Sequence, residues 1–264
     1  MKISHRHSAE AASAQPLTEE LVARAGISPG MRVVVFGEGI GDLALLVAER
    51  VGPSGAVLGI AEDERAIAQA ERCAREQCFA QVTFRCEPYD TLALDAPVDA
   101  AIGRFFLMGR PEPVGAIRRA ASLVRPGGRV IFHEWHLESM LCRHTSSWPE
   151  LPLYRKFART TVDALRSDGV HVDMGLRLPN AFVEAGLSMP AVHTDLRAVS
   201  GSGAHGYAFF DETLPRVLAA MQRLGVDPAH ELRSEAFAAR LEQEAVAAGG
   251  HAFLPLQVGV WSRK

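Results

Sequence analysis

The chain has 264 residues, which suits one large domain or one domain with an insertion, and 48% apolar against 22% charged residues excludes wholesale disorder. A net charge of −3, with no basic stripe interleaved with aromatics, argues against a nucleic-acid partner. No apolar run approaches the roughly 18 residues a membrane helix needs, and four cysteines are too few for a disulfide scaffold at this length.

The stretch up to Gln15 lacks an apolar signal-peptide core, so a cytoplasmic protein with reduced thiols is expected. Residues Pro16 to Ala25 read as a short helix. Arg32 to Phe36 is a continuous β-branched run, the pattern of a strand buried on both faces of a parallel sheet. Three glycines follow at once, in Gly37-Glu38-Gly39-Ile40-Gly41. Asp42 to Val51 then has helical spacing, and Gly52-Pro53-Ser54-Gly55 is a turn. Ala56–Ile60 is a second buried strand, Asp63–Gln77 a helix and Val82–Cys86 a third strand. Val98–Ile102 is a fourth strand, and Glu112–Val124 a helix stopped by Arg125-Pro126-Gly127-Gly128. Arg129–His133 is the fifth strand. This alternation predicts βαβ units and a doubly wound, mostly parallel α/β sheet.

Beyond Glu134 the rhythm changes. Helices are expected at Tyr154–Ser167, Pro179–Ala185, Phe209–Leu224 and Pro228–Ala247, and strands at Ala191–Val199 and Leu254–Ser262. Four stretches follow: an N-terminal helical or lid segment at 1–30, an α/β core at 31–134, a variable cap at 135–175, and the rest of the sheet at 176–264. The last carries a helical insertion at about 205–250. No Cys/His group has zinc-finger spacing, so no metal site is expected.

The glycine-rich turn sits between a buried strand and a helix, where glycine permits a tight bend and a close ligand, and the helix start offers free N–H groups. The spacing is G-x-G-x-G. Position 42 is Asp, so the dinucleotide pattern G-x-G-x-x-G is not met. Four segments together carry a family resemblance. They are Val33 to Gly41, Val51 to Ile60, Val98 to Met108, and Leu123 to Phe132 with its Arg-Pro-Gly-Gly element. Arg32 to Glu134 resembles a class I S-adenosylmethionine-dependent methyltransferase domain, and Gly175 to Leu187 and Val258 to Trp261 are similar to the tail of its small-molecule members.

The resemblance implies a Rossmann-like methyltransferase fold, S-adenosylmethionine as cofactor with S-adenosylhomocysteine as product, and a small-molecule acceptor. It also admits a homodimer. Gly37, Glu38, Gly39 and Gly41 would line the methionine end. The family's three acidic positions are occupied here by Val35, Ala61 and Pro88. Near substitutes are Glu62 and Asp63 for the ribose, and Tyr89 or Asp90 beside the adenine. Arg104, after the fourth strand, would reach the cofactor carboxylate or an acidic substrate.

A general base helps when the acceptor is a hydroxyl, and histidine suits this near neutral pH. His136, at the carboxyl end of the fifth strand, and His144, in the cap segment, are the candidates; His133 reads as structural. Loss of the three acids keeps another reading open: the same fold turned to non-methylating chemistry, as a cyclase, pericyclic catalyst or lyase, with the cofactor structural or absent. A non-catalytic partner subunit is a third.

Overall fold

The computed structural model describes residues 9–37, 39–142, 147–227, 232 and 236–264. Two compact units emerge. One comprises Leu17–Glu134, Leu176–His193 and Val258–Lys264; the other comprises the chain up to Pro16, Trp135–Gly175 and Thr194–Gln257.

The first unit is built on a seven-stranded sheet. In chain order its strands are β1 (Arg32–Gly37), β2 (Ala56–Ala61), β3 (Val82–Cys86), β4 (Val98–Arg104), β5 (Val124–His136), β7 (Ala191–Asp195) and β10 (Leu256–Arg263), and their spatial order is β3-β2-β1-β4-β5-β10-β7. The first five pair in parallel. Val33 to Phe36 are fully buried, as a strand covered on both faces requires. Helices α2 (Ile40–Val51), α3 (Glu64–Glu76) and α4 (Pro113–Leu123) are the crossovers. One face of the sheet, with Val33, Val35, Ile102 and Ile131, shares a core with Leu17 and Leu21 of α1 (Ala9–Arg24) and Leu43 and Val47 of α2. A Cβ on Gly259 would lie 2.2 Å from Leu21, so α1 rests directly on β10 at that glycine.

The second unit holds α5 (Pro152–Ser167), α7 (Ala208–Arg223) and α8 (Phe237–Ala247), with a small sheet of β6 (Ser147–Trp148), β9 (His251–Phe253) and β8 (Ala198–Ser200). Its helices meet through Phe157, Phe210 and Phe237, with ring centroids 5.2–5.4 Å apart around Phe157. Tyr154 is fully buried and donates to the Phe253 carbonyl at 2.8 Å; burial pushes its phenol above the ordinary range.

Several sequence-based boundaries are corrected. The first helix starts at Ala9, with Pro16 inside it, because the Glu212 carboxylate accepts the N–H groups of Ala9 (2.7 Å) and Glu10 (3.0 Å). The fifth strand begins at Val124. Its pairing with β4 skips from Val124 to Arg129, so the Arg-Pro-Gly-Gly element stands out of the ladder as an irregularity. The helix α6 runs Met174–Glu184 with Pro179 in its interior. The expected strand Ala191–Val199 is two strands in two sheets, separated where the Arg197 carbonyl accepts the Leu254 N–H. The expected strand Leu254–Ser262 is found as one strand shifted to Leu256–Arg263; Leu254-Pro255, where proline supplies no N–H for a ladder, separates it from β9. The last helix begins at Phe237; all of residues 228–235 except Leu232 lie outside the described residues.

Candidate functional site

In open parallel sheets, ligands bind at the carboxyl ends of the strands, where crossovers diverge. Here β1 ends at Gly37, β2 at Ala61 and β4 at Arg104. Gly37 and Arg104 are register partners. A Cβ on Gly37, whose φ is +110°, would fall 2.0 Å from the Arg104 carbonyl oxygen. Gly39 is left-handed (φ +61°), and a Cβ there would lie 2.7 Å from the Arg104 guanidinium. Both glycines are therefore required by the chain's own packing. They let the backbone pass over Arg104, whose guanidinium donates to the Gly39 carbonyl at 3.2 Å and which is only 2% exposed.

Gly41 belongs to another contact: a Cβ there would lie 3.2 Å from the Ala70 Cβ, so it sets the approach of α3 to α2. Glu38 and His144 lie outside the described residues. Asp63 is the N-cap of α3 and accepts the Arg65 N–H at 2.8 Å, so its carboxylate is engaged in the helix start. Glu62, one residue earlier, is half-exposed and takes a hydrogen bond from Arg110 at 2.9 Å. Tyr89 packs edge-on against Phe106, with centroids 4.9 Å apart. Asp90 contributes its backbone: the Arg119 guanidinium donates to the carbonyls of Asp90 and Leu92, which fixes the segment after β3.

Three further residues shape this edge. Glu134, fully buried in β5, accepts the N–H groups of Phe106 (2.9 Å) and Leu107 (2.8 Å) on one oxygen and that of Met108 (3.3 Å) on the other. It thereby caps the short 3-10 helix Leu107–Gly109 and fixes the exit of β4, where Phe105 has a φ of +51°. Phe106 is held in turn by Phe36 at 5.6 Å. Arg110 covers the rings of both Tyr89 and Phe106, its guanidinium carbon 4.6 and 4.2 Å from their centroids. The available sequence signal for Glu134 was a carboxylate closing an otherwise apolar strand. Arg110 carried none, being one of several scattered arginines.

His133 and His136 differ in kind. His133 is buried on the sheet and shares a 3.0 Å hydrogen bond with Thr18, a packing role. In the second unit, Nδ1 of His136 lies 3.3 Å from the Asp173 carbonyl. A carbonyl can only accept, so Nδ1 is the donor in this contact and Nε2 is the ring nitrogen not engaged by it. His136 is 9% exposed.

These donors can be compared with the group the fold class implies. A buried guanidinium beside the glycine bend suits a carboxylate, the Glu62 carboxylate suits vicinal hydroxyls, and the Tyr89–Phe106 ledge suits a flat heteroaromatic ring. The residues present fit an adenosyl amino acid.

Comparison with known proteins supports the same assignment. A family model described as a methyltransferase domain matches residues 27–168, just over half of the chain. Aklanonic acid methyltransferase DauC from Streptomyces sp. (strain C5) is 30% identical over 44% of this chain and 54% of its own. The chain spans about half the length, or less, of the curated relatives it matches. Among solved structures, the [4+2]-cyclase SpnF aligns with 100% of this chain and 85% of its own at 22% identity and a TM-score of 0.56. Geranyl diphosphate methyltransferase in complex with SAM aligns with 94% of this chain and 84% of its own at 13% identity and a TM-score of 0.55. At these identities the two structures speak for the fold alone. With its sheet order, its strand-edge glycine turn and the matched family model, the chain belongs to the class I methyltransferase domain family.

Proposed function

We propose that this protein binds S-adenosylmethionine at the carboxyl edge of β1, β2 and β4 and transfers its methyl group to a small molecule. The observation that carries this reading is the Gly37–Gly39–Arg104 arrangement, a cation fixed under a glycine bend at the start of α2. Bound there, the cofactor supplies an electrophilic methyl group. Arg104 holds the amino-acid carboxylate, Glu62 accepts from the ribose hydroxyls, and Tyr89 and Phe106 flank the adenine. Catalysis is then mainly the placing of two reactants. A hydroxyl acceptor would call for a general base, the role for which His136, at the end of β5, is the candidate. A small-molecule acceptor accords with the net charge of −3, and a cytoplasmic place accords with Cys73, Cys78, Cys86 and Cys142 forming no disulfide among the described residues. A homodimer is part of the proposal and is read by light scattering.

A second reading, non-methylating catalysis on the same fold, is favoured by Val35, Ala61 and Pro88 at the family's acidic positions. Calorimetric titration with S-adenosylmethionine and S-adenosylhomocysteine separates the two when combined with a labelled-methyl assay on candidate acceptors. Micromolar binding of both, with label transferred, is the expected result. Binding with no transfer to any acceptor supports the second reading, and no binding at millimolar ligand overturns the first. Glu62→Ala weakens binding about tenfold or more, since a hydrogen bond to a charged group contributes about 1.5–3 kcal/mol.

A further inference from the structure

Arg110 makes, with its own side chain, the contacts that an adenosyl ligand needs. Its guanidinium is flat and delocalised, and it lies 4.6 Å from the centre of Tyr89 and 4.2 Å from that of Phe106. Its Nη1 donates to Glu62 at 2.9 Å, as a ribose hydroxyl would. The platform beneath it is fixed, because Phe106 is anchored by Phe36 and its N–H by the buried Glu134. Arg110 and Glu62 both reach water: their side chains are 27% and 50% exposed, and an ion pair this open is weak.

We infer that Arg110 is a built-in competitor for the adenosyl subsite, a side chain that occupies the Glu62 carboxylate and the Tyr89–Phe106 ledge until a ligand displaces it. The inference rests on the adenosyl reading given above. Its consequence is quantitative. A ligand that binds only the open form has its apparent affinity reduced by the fraction of molecules that are open. The arginine therefore sets a threshold of cofactor concentration and disfavours ligands too weak to turn it away.

The test is calorimetry with S-adenosylhomocysteine on the full chain and on R110A, R110K, E62A and E62A/R110A. R110A binds about tenfold tighter than the parent, a change of ~1.4 kcal/mol. R110K falls between them, because lysine keeps the charge and loses the flat stacking surface. In the E62A background, removal of Arg110 gives a smaller gain. Unchanged or weaker binding by R110A, with clear binding by the parent, overturns this inference alone. No binding by the parent and by R110A overturns the adenosyl reading and this inference with it.

A second measurement needs no ligand. Burial raises the Tyr89 phenol and the Arg110 charge pulls it back. Ultraviolet titration of R110A, with Y89F to identify the transition, shows Tyr89 ionising at higher pH than in the parent. An unmoved Tyr89 transition means the guanidinium does not rest on the ring in solution, which overturns the inference whatever the calorimetry gives.

Discussion

Glu134 concentrates much of the local energetics of the strand edge in one side chain. A fully buried carboxylate is costly unless its oxygens are satisfied, and here three consecutive backbone N–H groups satisfy them. The arrangement also answers what the first N–H groups of the 3-10 helix would otherwise lack. Glu134→Ala removes the acceptor and leaves buried donors behind, so it destabilises the protein by roughly 3 kcal/mol or more. Glu134→Gln keeps the oxygen that serves Phe106 and Leu107 but turns an amide N–H₂ toward the Met108 N–H, at a cost of about 1–2 kcal/mol. Urea denaturation of the three proteins checks the order. Equal stability of Ala and Gln variants would show that the three bonds do not act together.

At the scale of elements, two carboxylates illustrate how short contacts fix the ends of helices and strands. Asp63 caps α3 through the Arg65 N–H, and Asp63→Ala costs about 1 kcal/mol by thermal denaturation. Asp99, in β4, accepts the Arg32 N–H at 2.8 Å and Arg125 Nε at 2.7 Å, tying the starts of β1 and β5 to it. Burial would raise its carboxyl, but these two bonds outweigh burial and hold it below the ordinary carboxylate range. A lowered folded-state value stabilises the protein above the unfolded value, near pH 4, and this contribution is lost as pH falls through the folded one. Asp99→Asn is therefore less stable at neutral pH by about 1–2 kcal/mol. Its stability also falls less steeply than the parent's below about pH 4, as acid titrations followed by circular dichroism will record. The strand cores and crossover helices were legible in the sequence, because β-branched runs buried on both faces and helical spacing are local signals. Where α1 begins was not legible, since the Glu212 carboxylate that caps it lies some two hundred positions away. Nor was the division of Ala191–Val199 between two sheets, because a β-branched run reports extended backbone and not its partners. In the candidate site, the nearness of Gly37 and Arg104 was legible from their places at the ends of β1 and β4, and that of Gly39 from the turn into α2. The Arg110–Glu62 pair and the three-fold acceptance by Glu134 depend on side chains brought together only by folding.

At the scale of the molecule, the chain's order and its spatial order diverge most at the last strand. The first unit takes its residues from three separate stretches, and Val258–Lys264 is the final one to be made. That stretch lies between β5 and β7 in the sheet, so without it β7 has no neighbour. Val258 and Val260 are buried, and Gly259 receives Leu21 of α1. Lys264 closes the ladder: the Gly127 N–H donates to the Lys264 carbonyl at 2.9 Å, the Lys264 N–H to the Gly128 carbonyl at 3.1 Å, and its ammonium to the Val124 carbonyl at 2.6 Å. Long-range pairings of this kind cost loop-closure entropy before they return any contact. Deletion of residues 258–264 should therefore do more than subtract a few side chains. It exposes the apolar faces of α1 and β5 and leaves two open strand edges inside the sheet. The truncated protein is expected to show no cooperative melting transition by circular dichroism and to elute from gel filtration as aggregate. Deletion of Lys264 alone removes only the closing bonds, and is expected to keep a cooperative transition at a reduced midpoint. A 1–257 protein that melts cooperatively and elutes at the parent's size or as a monomer would mean that the first five strands form a stable sheet on their own.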